Sequence, residues 1–216
     1  MKRFSLTLTI VLGFLTLGFG QNNIQDPKAK AILDGVSAKM KTFGSYAVEF
    51  TQKMENKAEK INETYSAKLI VKGEKYNLAV SQQVVICDGK TVWTYLKDAN
   101  EVTVDSPSSK EDALNPNSIF TLWEKGYKYK FIKEETQAGV VVQIIDLTPN
   151  KTKSFYKVRL LIDKNKKQIM SSTVYEKNGT SYYFKIIKFT PNANATDASF
   201  VFNKASYPGV EVIDNR

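Results

Sequence analysis

The sequence predicts a mainly β protein with some α: one large, curled antiparallel sheet of about eleven strands, with a helix at its N-terminal end and a helical insertion in mid-sheet. Three observations carry this. From Tyr46 to Thr190 apolar and polar residues mostly alternate with a period of two; short turns separate the runs; and only two stretches carry helical signals.

The first 20 residues read as an export signal. Lys2 and Arg3 form a positive start, Ser5 to Phe19 an uncharged and mostly apolar run, and Gly18-Phe19-Gly20 the small residues that precede a cut. A run of roughly 15 residues is short for a bilayer, which takes about 20. Cleavage near Gly20-Gln21 is therefore expected, with residues 21–216 forming one soluble domain.

Asp26 to Thr42 is expected to be helical. Asp26 is a good N-cap, Pro27 suits the first helical position, and Ile32, Leu33, Val36 and Met40 make one apolar stripe. The strands come next. Tyr46, Val48, Phe50 and Met54 alternate with Ala47, Glu49, Thr51 and Lys53. Tyr65, Ala67, Leu69 and Val71 do the same among polar partners, as do Tyr76, Leu78 and Val80. Asp88-Gly89 turns the chain between Val84–Cys87 and Thr91–Leu96, and Glu101–Asp105 adds a short strand. Ser106 to Gly126 breaks the rhythm with two prolines, and places Ile119, Leu122 and Trp123 on one side of a helix. Tyr127–Glu135, Val140–Leu147, Phe155–Asp163, Gln168–Glu176 and Ser181–Thr190 resume it, and Ser199–Phe202 is expected to pair at an edge.

Composition excludes more chemistry than it suggests. There is no histidine and a single cysteine, Cys87, set in an apolar run. That removes Ser-His and Cys-His nucleophile pairs, zinc sites built on His and Cys, and any internal disulfide. No metal or cofactor is expected, and no enzymatic activity. Asp88 with Glu101 is a weak carboxylate pair, since Asp-Gly in a tight turn is explained by backbone geometry. The chain carries a net charge of +9, or about +7 without Lys2 and Arg3, but its lysines are scattered. The aromatics fall on the apolar faces rather than among basic residues, so nucleic-acid binding is not expected.

An apolar sheet face needs a cover, and two helical segments are too small to cover a sheet this wide. The uncovered remainder is either a ligand cavity or a core closed by the chain's own 12 Phe and 11 Tyr. Pattern alone leaves both open.

Three motifs in register bear on the choice. Ser45-Tyr46-Ala47-Val48-Glu49-Phe50-Thr51-Gln52-Lys53 resembles the first strand of the outer-membrane lipoprotein carrier (LolA) family. Val84 to Tyr95, read VVICDGKTVWTY, is similar to that family's Asp-Gly-Lys-x-x-Trp hairpin. Asn115-Pro116 followed by Ile119-Phe120-Thr121-Leu122 is similar to its mid-sheet insertion. With the signal peptide and strand rhythm, the resemblance covers essentially the whole mature chain. It implies an incomplete, half-open barrel covered by a lid of helices, and a periplasmic carrier without bond chemistry. Such a carrier takes acylated lipoproteins from an inner-membrane ATP-driven transporter to an outer-membrane acceptor or membrane surface, and is expected to be monomeric. The acyl-chain cavity is expected to be lined by Tyr46, Val48, Phe50, Tyr65, Leu69, Tyr76, Leu78, Trp93 and Tyr95, with Met40, Ile119, Leu122 and Trp123 under the lid. One departure stands out: the arginine that follows a Val-Lys pair in the family, and latches the lid, is replaced here by Val71-Lys72-Gly73-Glu74-Lys75. Closure by apolar packing, or by Lys72 or Lys75, stays open. The alternative is a lipoprotein-sensing regulatory module on the same half-barrel. Sensors of that kind carry a second domain, which an end at Arg216 argues against.

Overall fold

The computed structural model describes residues 25–107 and 122–216. Helix α1 (Pro27–Met40) begins where Asp26 and Pro27 place it: the Asp26 carboxylate accepts from the backbone N–H groups of Lys28 and Ala29 at 2.9 and 3.1 Å. Twelve strands follow: β1 (Tyr46–Asn56), β2 (Ile61–Lys72), β3 (Lys75–Val80), β4 (Gln83–Cys87), β5 (Val92–Leu96), β6 (Glu101–Asp105), β7 (Tyr127–Gln137), β8 (Val140–Pro149), β9 (Phe155–Asp163), β10 (Gln168–Glu176), β11 (Ser181–Pro191) and β12 (Glu211–Asp214). They form one sheet in the order β12-β6-β5-β4-β3-β2-β1-β11-β10-β9-β8-β7. Every pairing is antiparallel except β12 with β6, and β7 and β12 remain unjoined, so the sheet is open.

Two expectations change. Ser199–Phe202 is not a strand: Asp197–Phe200 forms a 3-10 turn, and the terminal edge strand is β12. A lid of several helices is also not seen, since α1 is the one α-helix among the described residues. Most of the Ser106–Gly126 insertion, Ile119 included, lies outside those residues, and Leu122–Glu124 is a short 3-10 turn.

α1 lies on one face of the sheet, here called the inner face. Ala29, Leu33 and Val36 are fully buried in one apolar cluster with Tyr46 and Val48 of β1, Leu69 of β2, Tyr76 of β3, and Ile145, Leu147, Leu160 and Ile162 of β8 and β9. Strands stand about 4.8 Å apart, and a helix with its side chains is roughly 10 Å across. α1 is therefore too narrow to touch every strand of the cluster, and the strands beyond its reach join it through one another's side chains. Cys87 is buried in the same cluster, and desolvation raises its thiol above the ordinary range. Disulfide-exchange reagents are expected to label it at least about a hundredfold more slowly in the native protein than after unfolding. Equal rates would place it outside the core.

The N-terminal end of α1 is tied to the free edge of β7. Gln25 donates to the Tyr127 carbonyl at 2.9 Å and accepts from the Tyr129 N–H at 3.1 Å. The second oxygen of Asp26 accepts from the Phe131 N–H at 2.8 Å. One carboxylate thus caps the helix and satisfies an edge strand, and these backbone donors hold its pKa below the usual value.

Candidate functional site

Pairing registers sort the expected lining residues by face. Tyr46, Val48 and Phe50 lie opposite Val71, Leu69 and Ala67, Gln52 lies opposite Tyr65, and Leu69 and Val71 lie opposite Leu78 and Tyr76. All seven expected residues on β1, β2 and β3 therefore share the inner face. Tyr46, Val48, Leu69 and Tyr76 are buried, whereas Phe50, Tyr65 and Leu78 are half-buried. Met40 and Trp123 are buried in the same cluster.

Trp93 and Tyr95 do not join them. Cys87 pairs with Val92, so Val92 and Thr94 take the inner side, and Trp93 and Tyr95 point outward with Ile86 and Val84. There the C-terminal segment covers them. The Tyr95 ring lies 4.4 Å from that of Tyr207 and 5.9 Å from that of Phe202, and Val102 and Val210 complete a second small core. The run VVICDGKTVWTY is apolar on both faces, so alternation could not say which face was inner. These two residues are withdrawn from the cavity lining.

The inner face has two zones. Under α1 it is closed. Burial pushes the Tyr76 hydroxyl up to about 12 and raises that of Tyr46 further, as a surrounding of low polarity requires. Packed against that closed zone is a half-buried apolar strip formed by Phe50, Leu78, Val85 and Val92 with Phe184, Ile186 and Phe189 of β11. The rings of Phe50 and Phe184 are 6.3 Å apart. The β11 residues were not among those expected from the sequence, although the alternation of Tyr182, Phe184 and Ile186 displays them. Beside α1 a groove of about 660 Å³ runs over β7 to β9, floored by Ile162 and Gln143 and rimmed by Lys28, Lys164 and Lys167.

A second opening lies in the sheet itself. β11 stays paired with β1 as far as Pro191, and β10 with β9 as far as Gln168. Between them, however, β10 and β11 pair only over Ser171–Tyr175 and Ser181–Lys185. Their unpaired ends splay around a cleft of about 600 Å³, lined by Met170, Phe184, Ile186 and Phe189 among others.

Lys72 and Lys75 do not reach the helix. Both pair with Asp197 in the C-terminal segment, at 3.3 and 3.2 Å. α1 is held instead by its apolar stripe, by the Gln25 and Asp26 bonds, by Lys41–Glu124 at 2.9 Å, and by Lys39 donating to the Lys166 carbonyl. Among the described residues, no group of three or more Cys, Asp or Glu is arranged to hold a metal ion.

The described residues thus form an open, twelve-stranded sheet with an apolar inner face under a single helix. Residues 23–180 match the family model described as outer membrane lipoprotein carrier protein LolA, and the chain belongs to that family. It is 23% identical over 215 residues to the outer-membrane lipoprotein carrier protein of Coxiella burnetii, covering 96% of this chain and 98% of that one. In fold it is similar to an uncharacterized conserved protein from Thermus thermophilus, with a TM-score of 0.59 at 14% identity, over 87% of this chain and 99% of the other.

Proposed function

We propose that this protein is a periplasmic carrier that binds the acyl chains of lipoproteins on its inner face and conveys them from the inner to the outer membrane. On this reading residues 1–20 are a cleaved signal peptide, the curved sheet is a half-open barrel, α1 is the movable part of its lid, and no bond chemistry occurs. The observation that carries the reading is the half-buried strip around Phe50, Leu78, Phe184 and Ile186, continuous with the closed zone beneath α1.

The physics suits a carrier that receives its cargo from another machine. Water exposes an acyl chain at a cost of about 0.8 kcal/mol per CH₂, so three chains of about 15 methylenes carry a deficit of roughly 35 kcal/mol as an upper figure. Unaided release from a membrane is therefore far too slow, and an ATP-driven inner-membrane transporter has to load the protein. Apolar contacts lack directional bonds, which lets the cargo slide out at handover. Lifting α1 to admit chains exposes Leu33 and Val36 unless cargo replaces them, at roughly 2 kcal/mol each, so the empty protein stays shut.

The test is native mass spectrometry of the mature protein loaded by inner-membrane extract with ATP, comparing an acylated lipoprotein with its unlipidated form. A one-to-one complex with the acylated form alone is expected. Equal binding of both forms would instead mark a module that reads the protein part, and binding of neither would overturn an acyl-chain carrier.

A further inference from the structure

The outer face of β1, β2, β9, β10 and β11 carries charged and aromatic side chains that the inner cavity does not use. The registers set them in rows. Lys68, Glu49 and Lys188 lie side by side across β2, β1 and β11. One row on, Ser66, Thr51, Lys185 and Ser171 follow, and then Lys53, Tyr183, Thr173 and Arg159. A further row brings Tyr175 opposite Lys157.

Three of the four acidic groups in this area are already engaged, Asp163 of β9 by the Lys166 backbone N–H at 2.8 Å. Asp146 is held by two bonds from Arg159 at 2.7 and 2.8 Å, and Glu55 by Lys53 at 2.8 Å. Glu49 stands between two lysines. The face therefore carries a surplus of positive charge from Lys68, Lys157, Lys185 and Lys188.

Its apolar groups are placed unusually. The register between β1 and β11 shifts at Glu49/Phe50, which leaves Ile187 as an extra residue on β11. Ile187 is 59% exposed, the most exposed of the large hydrophobic side chains described. Tyr156 and Tyr183 are 50% and 37% exposed on the same side. The Lys157 ammonium sits 4.2 Å from the centre of the Tyr175 ring, and that of Lys53 5.8 Å from the Tyr183 ring.

We infer that this face docks the protein on an anionic lipid bilayer. Lysines attract anionic headgroups, tyrosines settle at headgroup level with the ring inward and the hydroxyl wet, and a lone projecting aliphatic side chain enters the acyl boundary. A protein partner would need a pocket for Ile187, whereas a bilayer accepts it anywhere. Charge complementarity is also favourable over the mature chain, which keeps 29 of the 31 Lys and Arg once Lys2 and Arg3 are removed, against 22 Asp and Glu. Docked this way, the outer side of the cleft between β10 and β11 faces the membrane. The inference goes beyond the carrier reading and concerns the protein without cargo, so the two stand or fall separately.

The test is co-sedimentation of the empty mature protein with phosphatidylcholine vesicles, with and without phosphatidylglycerol. Binding is expected only with phosphatidylglycerol, and is expected to weaken as salt rises. The double variant K185A/K188A should bind about 25-fold more weakly, at about fivefold per lysine, and I187S about fivefold more weakly. The pair K90A/K97A removes the same charge from exposed sites in the β4–β5 turn and the turn after β5, and should bind like the parent. Thermal melts of all variants should coincide with the parent, because each substituted side chain is exposed. Absence of binding, equal binding to both vesicle types, or equal losses in the two lysine pairs would overturn the proposal.

Discussion

Replacing Phe50 by glutamate is expected to weaken capture of acylated lipoprotein by at least about a hundredfold, since an unpaired carboxylate set against acyl chains costs several kcal/mol. Phe50 stands in the half-buried strip, on the same face as Leu69 and Leu78 and beside the Phe184 ring. Without cargo, the new carboxylate has water within reach and the sheet survives. The loss of ring packing should lower stability by about 1–2 kcal/mol, less than for a fully buried phenylalanine. The readouts are a thermal melt and the loading assay run side by side. A folded variant that loads like the parent would remove Phe50 from the cavity. Phe50→Leu keeps an apolar surface and should retain most loading, which separates charge from shape.

Asp26→Ala should lower the melting temperature by about 4–8 °C, corresponding to about 2 kcal/mol in a chain of this size. The carboxylate serves two structures at once, the first turn of α1 and the Phe131 N–H on the edge of β7. Asp26→Asn separates the two roles. Asparagine caps a helix as well as aspartate does, but its second position is an amide donor that meets the donor of Phe131, so about half of the loss should remain. Acid has a related effect. The folded pKa of Asp26 is depressed, so its contribution is fully present above the unfolded value near 4 and is lost as pH falls through the lower folded value. The parent should therefore lose this contribution at acid pH, whereas the melting temperature of Asp26→Ala should fall less steeply over the same range. Parallel pH profiles for the two proteins would contradict the double role.

Most of the strand plan was legible because each strand has one wet face, and because turns such as Asp88-Gly89 and Asn178-Gly179 interrupt the rhythm. The start of α1 was legible for a local reason as well, namely Asp26 followed by Pro27. What escaped depended on distant contacts. The bonds of Gln25 and Asp26 to β7 join residues about a hundred positions apart, and no local pattern reports them. The orientation of Trp93 and Tyr95 escaped because the β4–β5 hairpin is covered on both faces. β12 escaped because it is four exposed residues long and pairs parallel to β6. That the seven residues on β1 to β3 share one face was readable from alternation alone. The β11 side of the strip was equally visible as a pattern, but only the pairing of β11 with β1 brings it next to Phe50.

The short ladder between β10 and β11 has a mechanical meaning. Five residue pairs join two plates, one running from β12 through β1 to β11, the other from β10 to β7. α1 is pinned to the smaller plate through Tyr127, Tyr129, Phe131 and Lys166. The pairing of β10 with β11 stops at Lys185 although β11 runs on to Pro191, and starts at Ser171 although β10 begins at Gln168. On the carrier reading proposed above, the parted ends of β10 and β11 are the place where the wall can widen for a bulkier load without unpairing a strand.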